Sequence, residues 1–267
     1  MNQPLKWHGG KKYLAPWILE HFPDRDSYTH YNEAFAGGLS VLFAHDPEGK
    51  SESVNDLNRE LSNFWTTLQR TDRFEHFNRI VSALPLSEAE FNREVPLINQ
   101  RHICNAVEFF VRYRQSRQGL GKDYATPTRR TRRGMNENVS AWLSAVDGLP
   151  EAHERLRRVE IRNMDAVDFI KKYDHEKALF YLDPPYLHET RVTTKDYEHE
   201  MTEDDHNNLL SRLAVTNGKF ILSGYRSHLY DLWAASNGFR RVEKQIDNKA
   251  SGKKTKEKKT ECLWMNY

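Results

Sequence analysis

The sequence predicts an α/β sheet domain interrupted by a mostly helical insertion and closed by an antiparallel pair of strands. Three observations carry this. Short strand patterns alternate with helical ones over residues 1–70, the alternation stops over 71–157, and it resumes from 158 to the C-terminus. Alternating strands and helices build a sheet covered by helices, and a long stretch without strand periodicity folds as a layer of its own.

Taken in order, residues 11–22 (KKYLAPWILEHF) have helical apolar spacing, with Pro16 delaying or bending the start. HYNEAF reads as a strand, Gly37 and Gly38 as a tight turn, and LSVLFAH as a helix. SESVND is a second strand and NRELSNFWTTLQ a helix with an apolar face of Leu61, Phe64, Trp65 and Leu68. Over 71–157 helical patterns occur near 73–84, 87–95, 103–117 and 138–146, with Ser87 and Glu90 spaced as a capping box. The polar stretch QGLGKDYATPTRRTRRGMNEN reads as a loop. RVEIRN is then a strand, 165–173 a helix, and ALFYL a buried strand ending at Asp183. A helix over 203–215 with Thr202 as N-cap, the strand KFILSG and a helix over 227–236 follow. FRRVEKQI and ECLWMNY close the chain as a hairpin-like pair around a lysine-rich loop.

Composition narrows the class. A hydrophobic content of 38% with six tryptophans, 12 tyrosines and 13 phenylalanines supports a real core, which excludes disorder as the default. Lys and Arg total 40 against 38 Asp and Glu, so net charge by itself points to no partner. Its distribution does. Arg101, Arg112, Arg114, Arg117, Lys122, Arg129, Arg130, Arg132 and Arg133 are opposed in their stretch only by Glu108 and Asp123, and a lysine-rich run follows at 248–261. Local basic patches on a near-neutral chain suit an anionic polymer at one surface, although the lysine run alone reads as a solvated loop. Cys104 and Cys262 are far apart without His/Cys clusters, which argues against a disulfide scaffold and a metal site. There is no secretory signal pattern and no apolar run of membrane-spanning length, so a soluble, cytoplasmic protein without membrane contact is expected.

The chemistry concentrates in three motifs. In NEAFAGG a strand, a glycine turn and a helical pattern let a nucleotide-like ligand approach the backbone, and Asp56 ends the next strand roughly 20 residues on, where an acid meets ribose hydroxyls. The full dinucleotide fingerprint is missing, so an adenosine cofactor without a pyrophosphate fits better than NAD. In KWHGGKK, Lys11 at a helix start suits a carboxylate and Trp7 offers a flat face, with simple solvated polarity as the alternative. In DPPY, Asp183 stands where a strand meets two prolines. A proline turn with Asp183 as a turn acceptor explains that pattern too. The chemical alternative is specific. The lone pair of an exocyclic aromatic amine is delocalised into its ring. Hydrogen bonds from its N–H groups to the Asp183 carboxylate and the Pro184 carbonyl would favour pyramidalisation and free that pair. Pro185 would stiffen the turn and Tyr186 would stack on a base rotated out of its duplex.

Together KWHGGK, NEAFAGG, SVNDLN and LDPPY, in this order, resemble the Dam-type (alpha-group) DNA adenine-N6 methyltransferases that use S-adenosylmethionine (SAM). The resemblance implies a Rossmann-like SAM-methyltransferase sheet, with residues 1–70 and 158–267 as the catalytic domain and 71–157 as the target-recognition insertion. It implies cofactor contacts from Trp7, Lys11, Phe35, Ala36, Gly37, Gly38, Asp56, Asp165 and Asp183, and catalysis by Asp183, Pro184, Pro185 and Tyr186. Asp165 also suits a helix N-cap. Double-stranded DNA is the expected partner, met by Arg112, Arg114, Arg117, Arg129, Arg130, Arg132, Arg133 and, after the catalytic motif, Arg191 and Lys195. His188 reads as a loop residue rather than a base. A bacterial or phage-encoded setting goes with the family. Two departures stand out: Glu33-Ala34-Phe35 replaces Glu-Pro-Phe, and Leu39 replaces a small loop residue. Both predict an altered loop shape. The insertion does not match the segment that reads GATC, which leaves the recognised sequence open, as well as any restriction endonuclease partner. Adenine in RNA, the N4 amine of cytosine, and a non-catalytic DNA-binding module are the other readings, and the intact motifs disfavour the last.

Overall fold

The computed structural model describes residues 3–93, 101–187, 200–247 and 258–267. In chain order the elements are α1 (Ala15–Glu20), β1 (His30–Glu33), β2 (Ser51–Asn55), α2 (Arg59–Gln69), α3 (Thr71–Ala83), α4 (Glu88–Phe91) and α5 (Arg101–Gln115). There follow β3 (Thr131–Arg132), β4 (Met135–Asn136), α6 (Glu137–Asp147), α7 (Leu149–Leu156), β5 (Val159–Arg162), α8 (Ala166–Tyr173) and β6 (Ala178–Leu182). The chain ends with α9 (Glu203–Ala214), β7 (Lys219–Tyr225), α10 (His228–Asn237), β8 (Arg240–Asp247) and β9 (Lys258–Met265). Contacts divide these into two units, one of 1–19, 37–46 and 58–163, the other of 20–36, 47–57 and 164–267. This physical division differs from the functional one drawn from the motifs. The reason is visible in α2, whose Phe64 packs against Phe77, Phe109 and Phe110 of α3 and α5, so the segment before residue 71 shares the core of the helical stretch.

In the second unit the strands pair in the order β2-β1-β6-β7-β9-β8. The first four are parallel, while β9 runs antiparallel to β7 and β8 to β9. The expected closing pair is therefore present. Alternate residues Ala178, Phe180 and Leu182 of β6, Phe220 and Leu222 of β7, and Cys262 and Trp264 of β9 share one face of the sheet. That face buries Phe169 and Ile170 of α8, Leu209, Leu210 and Leu213 of α9, and Tyr230 of α10. Burial of this apolar surface is the main stabilising contribution in the unit.

In the first unit an aromatic core of Phe64, Trp65, Phe77, Phe109 and Phe110 holds the helices together. Trp142 of α6 joins it against Phe110 and donates its indole N–H to the Leu84 carbonyl at 2.9 Å.

Four local expectations are corrected. LSVLFAH is a series of turns, with Phe43 N–H bonded to Leu39 and His45 N–H to Val41. Leu39 stands at φ 54°, a left-handed conformation from which a regular helix does not propagate. Ser87 does not cap α4 with its side chain. Its N–H is taken by Gln115, and Glu90 pairs with Arg93 at 3.4 Å instead of reaching back. Within the stretch read as a loop, β3 and β4 form an antiparallel hairpin, its turn made by Arg133 at φ 56° and Gly134 at φ 74°. Two consecutive positive φ values match the twist of a two-residue hairpin turn, and Gly134 was its signal. The unforeseen α7 starts with Pro150 in its first turn, where a missing N–H costs nothing.

Thr202 caps α9 as its sequence implies. Its hydroxyl accepts from the Asp205 N–H at 3.2 Å, and the Asp205 carboxylate accepts the Thr202 N–H at 2.8 Å. The Thr202 hydroxyl and amide hold the Asp205 carboxyl below its ordinary value. We expect Thr202→Ala to destabilise the fold by about 1 kcal/mol in urea unfolding at neutral pH. A carboxyl depressed in the folded state stabilises above its unfolded pKa, so the penalty should shrink as pH falls below about 4. A pH-independent penalty would contradict the capping box.

Candidate active site

The second unit carries the carboxyl ends of its parallel strands on one sheet edge. β1 and β6 pair in register from His30 with Ala178 to Glu33 with Tyr181, and the Ala34 N–H continues the ladder to the Tyr181 carbonyl at 3.3 Å. Two motif loops thus leave the sheet at the same level, one into Ala34, Phe35 and Ala36, the other into Asp183. Asn55, the last residue of β2 and buried, ties this edge together. Its amide donates to the Ala34 carbonyl at 3.2 Å and the Met164 carbonyl at 3.0 Å, while its oxygen accepts the Met164 N–H at 3.0 Å. The Ala36 N–H is bonded to the Asn55 carbonyl at 2.8 Å. Asp56, half-buried, follows directly, and Phe35 packs against the sheet core. Asp165 is the exposed N-cap of α8, its Oδ1 accepting from Val167 at 2.8 Å and Asp168 at 3.2 Å.

At the end of β6, Pro184 is buried, and Asp183, Pro185 and Tyr186 are half-buried. Burial first, and the Asp183 charge second, push the hydroxyls of Tyr181, Tyr186 and Tyr230 above the ordinary tyrosine range. These tyrosines stay protonated, and the Tyr230 hydroxyl is bonded to His206 Nδ1 at 2.8 Å. The Tyr186 hydroxyl donates to Glu261 Oε1, with Ser223 Oγ at 3.5 Å, and Ser223 donates to the same Glu261 oxygen at 2.7 Å. The Tyr225 ring stands edge-on to Tyr186, 4.6 Å between centroids. Glu261, Ser223, Tyr225 and Asn55 were missed by sequence reasoning. The one usable signal was an acid opening the otherwise apolar ECLWM.

In the first unit Trp7 lies against the glycine turn. A Cβ added at Gly38 would stand 3.0 Å from Trp7 Cβ, and at Gly37 3.1 Å from the indole edge, so the approach is close, and Gly37 at φ 47° is in the left-handed region that favours glycine. The Trp7 ring also contacts Tyr113 at 4.8 Å and Phe109 at 6.1 Å, which engages it in an aromatic cluster. Trp65 donates its indole N–H to the Gly37 carbonyl at 3.1 Å. Lys11 is buried and donates to the Gly9 carbonyl at 3.2 Å.

The arginines fall into two groups. Arg112 is paired with Glu108 at 2.6 Å and Glu60 at 3.5 Å, and Arg114 donates to the Ala141 carbonyl at 2.8 Å, with burial lowering its pKa to about 10. Both hold α5 to its neighbours. Arg117, Arg129, Arg130, Arg132 and Arg133 are exposed, the last two on the β3–β4 hairpin, where Arg133 also reaches the Ser144 hydroxyl at 2.8 Å. His188, Arg191, Lys195 and most of the lysine run lie outside the described residues.

Removing the Asn55 side chain would remove three hydrogen bonds to backbone groups of this edge. Asn55→Ala is expected to lower unfolding free energy by about 2 to 4 kcal/mol, read from the denaturant midpoint. An unchanged midpoint would contradict its role as the tie.

Among the described residues no group of three or more His, Cys, Asp or Glu side chains could hold a metal ion, and no helix is long and apolar enough to cross a membrane. A comparison with curated proteins finds no match. The model of the D12 class N6 adenine-specific DNA methyltransferase family, in contrast, matches residues 7–248. That span covers most of the chain and runs from Trp7 past the DPPY motif: the chain belongs to the D12 class of N6 adenine-specific DNA methyltransferases.

Proposed function

We propose that the protein methylates the N6 amine of an adenine rotated out of double-stranded DNA, at a specific site, with S-adenosylmethionine as methyl donor. The observation that carries this is the geometry after β6: a carboxylate and a proline carbonyl at a sheet edge, next to a tyrosine ring held by its hydroxyl. In this reading the Asp183 carboxylate and the Pro184 carbonyl accept the two amine hydrogens, Pro185 stiffens the turn, and Tyr186 stacks on the flipped base. The work is positioning and charge stabilisation, without a protein nucleophile.

The residues present suit the cofactor. Lys11 offers an ammonium for its carboxylate and Asp56 a carboxylate for its ribose hydroxyls. Asp165, which spends Oδ1 on the helix cap, has Oδ2 for the adenine amine. Phe35, Ala36, Gly37 and Gly38 keep the loop small, and Trp7 supports the turn. When bound, SAM supplies an electrophilic methyl group on a sulfonium. Residues 71–157 serve as the target-recognition part, with the exposed Arg117, Arg129, Arg130, Arg132 and Arg133 supplying DNA contacts, most of them to phosphates. Arg191 joins them in this reading. Arg112 and Arg114 are already committed to Glu108, Glu60 and Ala141, and contribute by fixing α5.

The test is transfer of labelled methyl from SAM to unmethylated plasmid DNA, with the product identified by nucleoside mass spectrometry. Wild type should form N6-methyladenine. Asp183→Asn, which turns an N–H donor toward the substrate amine, should lose about a hundredfold or more in kcat. Transfer to cytosine, or full activity in the variant, would overturn the reading.

A further inference from the structure

We infer that Glu261, far from the catalytic motif in sequence, is a positioning residue that sets the plane of the Tyr186 ring against the target base. The inference rests on the reading of Tyr186 as the base-stacking ring. Glu261 is buried to 1% exposure on β9, between Thr260 and the apolar run Cys262–Met265. An acid in such a strand is costly to bury unless its oxygens are hydrogen-bonded. Oε1 accepts from both the Tyr186 hydroxyl and the Ser223 hydroxyl, the latter at 2.7 Å. Glu261 pairs with Tyr225 across β7 and with Lys244 across β8, so the strand carrying it is fixed on both sides.

A free tyrosine ring has two soft side-chain torsions, and stacking requires one orientation. The hydroxyl bond to Glu261 pins the far end of the ring. Ser223 in turn holds the carboxylate oxygen in place, and burial keeps the Tyr186 hydroxyl protonated as the donor. From the side, the edge of Tyr225 meets the Tyr186 ring, and the Lys259 ammonium lies 4.4 Å from the Tyr225 ring centre. The antiparallel hairpin of β8 and β9 therefore contributes to the reaction through Tyr186 as well as closing the sheet.

The experiment compares methyl transfer to unmethylated plasmid DNA and SAM affinity for wild type, Tyr186→Ala, Tyr186→Phe, Glu261→Ala, Glu261→Gln and the double variant Tyr186→Phe/Glu261→Ala. We expect kcat per SAM-binding site to fall about tenfold or more in Tyr186→Phe and in Glu261→Ala, with the SAM Kd within about threefold of wild type. Glu261→Gln, which keeps the Oε1 acceptor, should recover most of the rate. The double variant should be no slower than the slower single, because both remove one interaction. Wild-type kcat in Tyr186→Phe, or additive losses in the double variant, would overturn the anchor. Should Glu261→Ala fail to fold, Tyr186→Phe keeps the ring and decides alone. Tyr186→Ala separates the two readings: its loss of activity beside a fully active Tyr186→Phe removes only the anchor, whereas full activity in Tyr186→Ala removes the stacking role itself.

Discussion

The candidate site depends first on the in-register parallel pairing of β1 with β6. Because Glu33 stands beside Tyr181, and Ala34 continues the ladder, the loop after β1 and the motif after β6 emerge at one height. In a parallel sheet a slip of one residue would turn every side chain of the strand to the other face. Phe180 and Leu182 would then leave the apolar core that α8 and α9 cover, so hydrophobic burial enforces the register that the chemistry uses. Fold stability and site geometry are here the same constraint.

A second layer of polar contacts refines that edge. Asn55 satisfies backbone groups that the strand ends leave unpaired, and Glu261 gathers two hydroxyls from β7 and the segment after β6. Such groups specify one arrangement because each alternative would strand a buried donor or acceptor. This explains why the antiparallel pair at the C-terminus carries an acid inward. An apolar residue at 261 would leave the Tyr186 hydroxyl without its carboxylate.

Much of this was legible in the residues. The strand ending at Asp183 was readable because ALFYL is continuously apolar and Pro184 removes the next ladder donor. Thr202 announced α9 through the spacing to Asp205, and the closing strand pair followed from their patterns. What failed was local conformation set by single residues. Leu39 in a left-handed conformation breaks the helix that LSVLFAH suggests, and Arg133 with Gly134 turns a polar stretch into a hairpin. Long-range polar partners were the least legible. Nothing in the spacing joins Glu261 to Tyr186, and nothing in a string of arginines separates Arg112, paired with Glu108, from the exposed Arg132. Those distinctions exist only once the chain is folded.

The most direct measurement is single-molecule sequencing of DNA from cells expressing either wild type or Asp183→Ala. The account predicts N6-methyladenine at one short recurring sequence with wild type and none with the variant, which would establish the modified base, its specificity and the role of the strand-end carboxylate together. Unmodified adenine throughout, in cells holding soluble wild-type protein that binds SAM, would contradict it.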